Sequence, residues 1–279
     1  MSQAAPAPCS DPFQPLRLQG ADGASLELLP YGAQLLSWVP AGEHGNRLFL
    51  SPAAEYRHGV SVRGGIPVVF PQFSGHGPLP KHGFARVQPW ALEQQGPAGC
   101  RMRLRESPQT LALWPHPFEL RLDLAMQANR LEAALTVLNT GSAAFEFTAA
   151  LHSYLQVDDI RQTRLHGLQG CRYLDAVRHR EYHVQQQEPL QLGEWIDRIY
   201  VDAPGELRLE EPARRLRIRQ EGFTDTVVWN PAAGLTATLA DMEPDGWLRM
   251  LCVEAGSTLA PVRLAPGQAW RGTQILIAE

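Results

Sequence analysis

FELRLDLAM, residues 118–126, decides the fold. Phe118, Leu120, Leu122, Leu124 and Met126 alternate with Glu119, Arg121 and Asp123. That period of two suits a strand with one buried face and does not suit a helix, whose neighbours recur every 3.6 residues or so. After the polar turn QANR (127–130) the alternation resumes with Leu131, Ala133, Leu135 and Val137, so the two runs are expected to pair as an antiparallel hairpin. The pattern repeats outward along the chain. ELRLE (206–210) and RLRIRQ (215–220), joined through EPAR, predict a second hairpin; RMRLRE (101–106) alternates Arg101, Arg103 and Arg105 with Met102 and Leu104. VVWNPAAGLTATLADM (227–242) reads as a third hairpin around a Pro/Gly turn.

No strand is followed by a long amphipathic helix, which argues against parallel βαβ units. Many short strands punctuated by turns predict an all-β fold, a large antiparallel β-sandwich. A chain of 279 residues without linker, repeat or low-complexity segment beyond its Ala/Pro-rich start fits a single domain over residues 16–279, preceded by a flexible tail over residues 1–15.

Hydrophobic residues make up 44% and charged residues 19%, which excludes disorder as the main state. Twenty-nine acidic against 25 basic residues give a net charge of -4, and the longest basic block is ARRLRIR (213–219), so nucleic acid is not an expected partner. Neither a signal-like start nor a bilayer-length apolar run is present. The expectation is a soluble, cytoplasmic protein, monomeric and without a membrane partner. Cys9, Cys100, Cys171 and Cys252 are widely spaced with no C-x-x-C, a pattern of free thiols rather than of a zinc ribbon or redox pair.

Against this acidic background the cations of RGGIPVVFPQFSGHGPLPKHGFAR (63–86) stand out: Arg63, Lys81 and Arg86, with His76 and His82, among four prolines. Prolines lack the N–H donor and glycines weaken periodic structure, so the segment reads as a shaped loop able to hold a ligand. In AAFEFTAALHSYLQV (143–157), Phe145, Phe147, Ala149 and Leu151 share one strand face, leaving His152 and Tyr154 on the other. GWLRMLCVEAG (246–256) puts Glu254 at the end of an apolar run, on the face of Leu248, Met250 and Cys252; a carboxylate so placed is desolvated, which raises its pKa towards that of a useful proton acceptor. EWIDRIY (194–200) sets Asp197 beside Arg198, a pattern that also fits a local ion pair in a loop, and His179 and His183 of HREYH read as surface residues.

RGGIPVVFPQF, PKHGFAR, LHSYLQVDDI, DRIY, VVWNP and CVEAG, in that order from about Leu16 to the C-terminus, resemble the glucose-6-phosphate 1-epimerase (hexose-6-phosphate mutarotase) family of the aldose 1-epimerase superfamily. The resemblance implies a large antiparallel β-sandwich, in agreement with the period-two reading. It makes His152 and Glu254 the catalytic pair, Arg63, Lys81, Arg86 and Asp197 substrate-binding residues, and His82 the histidine that contacts the sugar ring. Lys81 stands where related sequences carry glutamine, and Ala255 where proline is common.

The implied reaction interconverts the α and β anomers of a hexose 6-phosphate by opening and closing the pyranose ring. Glu254 would take the C1 hydroxyl proton while protonated His152 gives one to the ring oxygen, and the roles reverse on closure. Neither metal nor cofactor is required, and the partner is a small sugar phosphate. A nearby carboxylate is expected to hold His152 in its protonated form near neutral pH. Three alternatives stand beside this reading: a mutarotase of non-phosphorylated aldoses, a non-catalytic carbohydrate-binding sandwich, and a metal hydrolase with His82, His152 and Glu254 as ligands.

Overall fold

The computed structural model describes residues 11–279, whose strands form three antiparallel sheets. The hairpin that opened the sequence reading lies in the largest, nine-stranded sheet. Phe118–Gln127 pairs with Arg130–Asn139 in the register Leu120↔Val137, Leu122↔Leu135 and Leu124↔Ala133. Its alternate residues Phe118, Leu120, Leu122, Leu124 and Met126 are buried, each contributing about 1.5–3 kcal/mol of apolar transfer for the larger side chains. Gly99–Arg105 adds to its outer edge, and Ala269–Ala278 joins it to the second expected hairpin, Glu206–Glu210 with Arg215–Glu221.

An eight-stranded sheet packs against this one. Its path runs Glu181–Val184, Arg172–Asp175, Ile196–Tyr200, Asp225–Asn230, Met250–Leu264, Phe145–Leu151 and Val68–Val69, with Tyr154–Gln156 also paired to Met250–Leu264. A three-stranded sheet, Leu16–Gln19, Ser25–Leu29 and Gln34–Val39, completes the core through Leu26, Leu28 and Trp38.

The third hairpin is not formed. Asp225–Asn230 is a strand, but the chain then turns into the short helix Ala232–Thr236 and the 3₁₀ turn Gly246–Arg249 before returning as Met250–Leu264. The fully buried Asn230 causes the break. Its Oδ1 accepts the Ala232 N–H at 2.8 Å, while its Nδ2 donates to the Trp247 and Met250 carbonyls, each at 2.8 Å. A local side-chain bond thus replaces the ladder at the strand end. Leu248 consequently lies in the 3₁₀ turn and does not share the face of Glu254, which sits inside a long strand rather than at its end.

Residues 1–10 of the expected flexible tail, Cys9 included, lie outside the described residues. Beyond them the chain is tied down: the Tyr31 N–H donates to the Pro12 carbonyl at 2.9 Å, and the Phe13 ring packs on Tyr31 at 4.6 Å. Among the described residues, no helix is long and apolar enough to cross a membrane.

Candidate active site

Strand Phe145–Leu151 delivers its alternate residues to the core and then leaves the ladder. His152 donates its backbone N–H to the Pro67 carbonyl at 3.0 Å, and pairing resumes at Tyr154, opposite Cys252. The expected parity survives the interruption: the His152 and Tyr154 rings lie on one side, stacked at 4.8 Å with 14° between their planes. Glu254 reaches the same side from the central strand, where it stands opposite Val227, and its Oε1 lies 3.3 Å from His152 Nε2. Both side chains are buried, Glu254 to 1% exposure.

The pair forms the floor of a cleft of about 400 Å³, within the range of small-molecule sites. Phe73, His82 and Trp229 wall it; Leu235 and Leu239, from the segment that replaced the expected hairpin, cover one side. Arg63, Lys81, Arg86 and Asp197 also line it, so all seven residues singled out from the sequence meet in one cavity.

The loop between residues 63 and 86 owes its shape to a few backbone positions. His82 and Gly83 both adopt the left-handed region, φ 66° and 69°, and a Cβ on Gly83 would fall 2.1 Å from the Phe70 carbonyl oxygen. The turn aims His82 into the cleft, edge-on to His152 at 5.3 Å. The Ser74 N–H points at His82 Nδ1 at 3.3 Å, which leaves Nε2 to carry the proton of the neutral ring. At Gly64 the missing side chain makes room for the Phe49 carbonyl, 2.4 Å from where a Cβ would stand.

The cations are held in different ways. Arg63 directs Nε and Nη2 to Asp241 Oδ2, each at 3.1 Å, and Nη1 to the Tyr154 hydroxyl at 3.0 Å. Arg86 makes a single hydrogen bond among the described residues, from Nη2 to the Lys81 carbonyl at 2.8 Å. Asp197 and Arg198 do not pair with each other. Neighbours on a strand point to opposite faces, and Arg198 turns to Asp175 at 3.6 Å and lies over the Tyr173 ring while Asp197 enters the cleft.

Burial dominates the electrostatics. It pushes the Glu254 carboxyl well above the usual carboxylate range, helped by Asp197 and opposed by Arg86 and Lys81. It also drives His152 down to about 3, with Arg86 and Arg63 adding to the depression. The expectation that a nearby carboxylate holds His152 protonated near neutral pH is therefore opposed in the empty cleft, where burial and the cations Arg86, Arg63 and Lys81 all disfavour the imidazolium. His82 is lowered by burial and then by His152, and Asp197 is pushed up by burial to about 6. Arg63 is held more firmly in its charged form by Tyr154 and Asp241, whereas burial lowers Arg86.

The ligand trio of the metal reading is not assembled. Among the described residues, the atoms that come within 4.8 Å of one another belong to His152, Cys252 and Glu254, with Cys252 in place of His82. The Cys252 thiol is fully buried and raised well above its ordinary pKa, an inert setting. Sequence reasoning missed Trp229, Phe73 and Asp241. Asp241 carries no local signal, because its partner Arg63 is 178 residues away.

Comparison with known proteins gives the class first: a family model described as aldose 1-epimerase matches residues 14–276. The chain belongs to that family and is an epimerase. Among curated relatives, a protein of Cenchrus ciliaris named "Putative glucose-6-phosphate 1-epimerase" is 33% identical over 94% of this chain and 83% of its own length. One of the same name from Escherichia coli K12 is 33% identical over 80% of this chain and 76% of its own. A Salmonella typhimurium crystal structure titled a "putative mutarotase" superposes with a TM-score of 0.83 at 30% identity, covering 91% of this chain and 87% of that one. A galactose mutarotase-like protein from Lactobacillus casei shares the fold, with a TM-score of 0.77 at 15% identity over 95% of this chain and all of its own.

Proposed function

We propose that the protein interconverts the α and β anomers of a hexose 6-phosphate, glucose 6-phosphate first among them. Glu254 and His152 make the proton transfers, and Arg63, Lys81 and Arg86 hold the phosphate. The observation that carries the reading is convergence: the buried pair and three cations line one cleft in a protein whose net charge is negative. Ring opening needs one group to accept the C1 hydroxyl proton and another to supply a proton to the ring oxygen, and a carboxyl and an imidazole 3.3 Å apart are able to do both. The phosphate does not react, so its binding energy serves to orient C1 and the ring oxygen over the pair. Asp197 and the His82 Nε2–H supply an acceptor and a donor for sugar hydroxyls. The names of the curated relatives support the same substrate.

A neutral aldose is the competing substrate. Arg86 favours the phosphate, because its guanidinium lies in the cleft with a carbonyl as its one partner among the described residues. The deciding experiment is anomer exchange by NMR on glucose 6-phosphate and glucose side by side. Exchange that is faster for glucose would overturn the phosphate assignment.

A further inference from the structure

The two halves of the His152–Glu254 pair come from different parts of the chain, and their spacing must be fixed from beneath. On the core side of the sheet, directly behind the pair, lies a polar group that the proton-transfer reading does not use. Gln274 projects from strand Ala269–Ala278 of the nine-stranded sheet, with only 2% of its surface exposed. It crosses the sandwich interface. Its Nε2 donates to the carbonyl of Val253, the residue before Glu254, at 2.9 Å, and its Oε1 accepts the hydroxyl hydrogen of Ser153, the residue after His152. The Val253 N–H donates in turn to the Ser153 carbonyl at 3.1 Å.

A side-chain amide between two apolar sheet faces costs free energy unless its bonds are made. Those described for Gln274 both go to the immediate neighbours of the pair. The ladder needs help there, because regular pairing with Phe145–Leu151 ends at Leu151 and only the short segment Tyr154–Gln156 continues along Met250–Leu264.

We infer that Gln274 is a positioning residue for the epimerase reaction, fixing the spacing of His152 and Glu254 by bracketing Ser153 and Val253 from the opposite sheet. The inference rests on the reading of His152 and Glu254 as the proton-transfer pair. Gln274 touches neither substrate nor reacting atoms. It acts on turnover through geometry, and a misplacement of about 1 Å at a reacting centre is enough to cost up to about 10²-fold.

The test is Gln274→Met, which keeps the volume and removes both bonds, alongside Ser153→Ala, the double variant and Glu254→Gln as a control. With glucose 6-phosphate, Gln274→Met is expected to lower kcat about 10-fold or more, with KM changed less than about 2-fold and the thermal melt still cooperative. The double variant should lose less than the product of the single losses, as coupled residues do. A cooperatively folded Gln274→Met protein with parental kcat overturns the inference, as does a uniform loss explained by a melted fraction; Gln274→Glu, which keeps the acceptor for Ser153, should then recover nothing, whereas positioning predicts partial rescue of kcat. If Glu254→Gln itself exchanges anomers at the parental rate, the proton-pair reading fails instead, and the two failures are thereby told apart.

Discussion

Arg86 offers the sharpest test of the phosphate handle, because the reading predicts opposite effects on binding and on stability. Its guanidinium lies within the cleft with one neutral hydrogen-bond partner, and burial already lowers its pKa. A partly desolvated cation with no salt-bridge partner among the described residues costs the empty protein free energy, so Arg86→Met should leave the melting temperature unchanged or raise it. The same change removes the donors that would meet the phosphate. Two charge-assisted bonds at the lower end of their usual worth, about 1.5 kcal/mol each, amount to roughly 3 kcal/mol, a loss of about 10²-fold in kcat/KM for glucose 6-phosphate. Glucose, lacking the phosphate, should lose less than about 3-fold. Arg63→Met provides the contrast. It leaves Asp241 and the Tyr154 hydroxyl without their partner, so the same substrate discrimination should fall together with the melting temperature. Exchange measured by NMR on both sugars, with a melt on each variant, checks the set. Equal losses for the two sugars in a destabilised Arg86→Met protein would show that Arg86 merely braces the loop through the Lys81 carbonyl, and would refute the handle.

Glu254→Gln or His152→Asn should slow exchange by at least about 10²-fold, the usual size of a general acid–base contribution, without unfolding the protein; near-parental exchange in either would sink the assignment. Asp197 makes a pH prediction whose sign is fixed by its raised pKa. Its ordinary value near 3.8 rises to about 6 in the folded protein, so its contribution to stability is full below about pH 4 and is lost as pH rises through 6. Asp197→Asn should melt like the parent at pH 4 and be more stable at pH 8 by about 3 kcal/mol, the order set by a shift of roughly two units at about 1.4 kcal/mol each; an equal difference at both pH values would contradict this. Exchange should survive prolonged EDTA treatment and dialysis. Loss on chelation with recovery on added zinc would move the chemistry to a metal held by His152, Cys252 and Glu254.

Period two was legible because each strand buries one face, and FELRLDLAM obeyed it except at Glu119, which is buried on the other face against Arg105 and Arg121. The third hairpin failed for a reason that alternation cannot report. Asn230 is polar in sequence and fully buried in the fold, and its amide captures two carbonyls from residues well downstream. The face of His152 could be read because parity survives a short break in the ladder, and the apolar run before Glu254 told of its burial, whereas its place inside the strand could not be read, since whether a strand continues beyond a residue depends on its partners. Asp241 and Gln274 were silent for a third reason. Each acts on residues more than a hundred positions away or in the other sheet, and no local pattern encodes such a meeting.

The protonation of the pair joins these threads. Burial favours the uncharged form of both groups, shifting the Glu254 carboxyl up and the His152 imidazole down. The ring-opening step as proposed needs the other arrangement, a carboxylate to accept from the C1 hydroxyl and an imidazolium to donate to the ring oxygen. Moving the proton across the 3.3 Å gap changes neither the net charge of the pair nor the number of protons in the cleft. A bound sugar phosphate favours that move through two contacts that the empty site lacks. The C1 hydroxyl donates to the carboxylate and stabilises it, and the ring oxygen accepts from the imidazolium and stabilises that. A phosphate held as proposed would meanwhile compensate Arg63 and Arg86, two of the cations that depress His152. On this reading the substrate completes its own acid and base. Because closure of the ring on the other face returns each proton to its donor, the same pair serves both directions of the exchange.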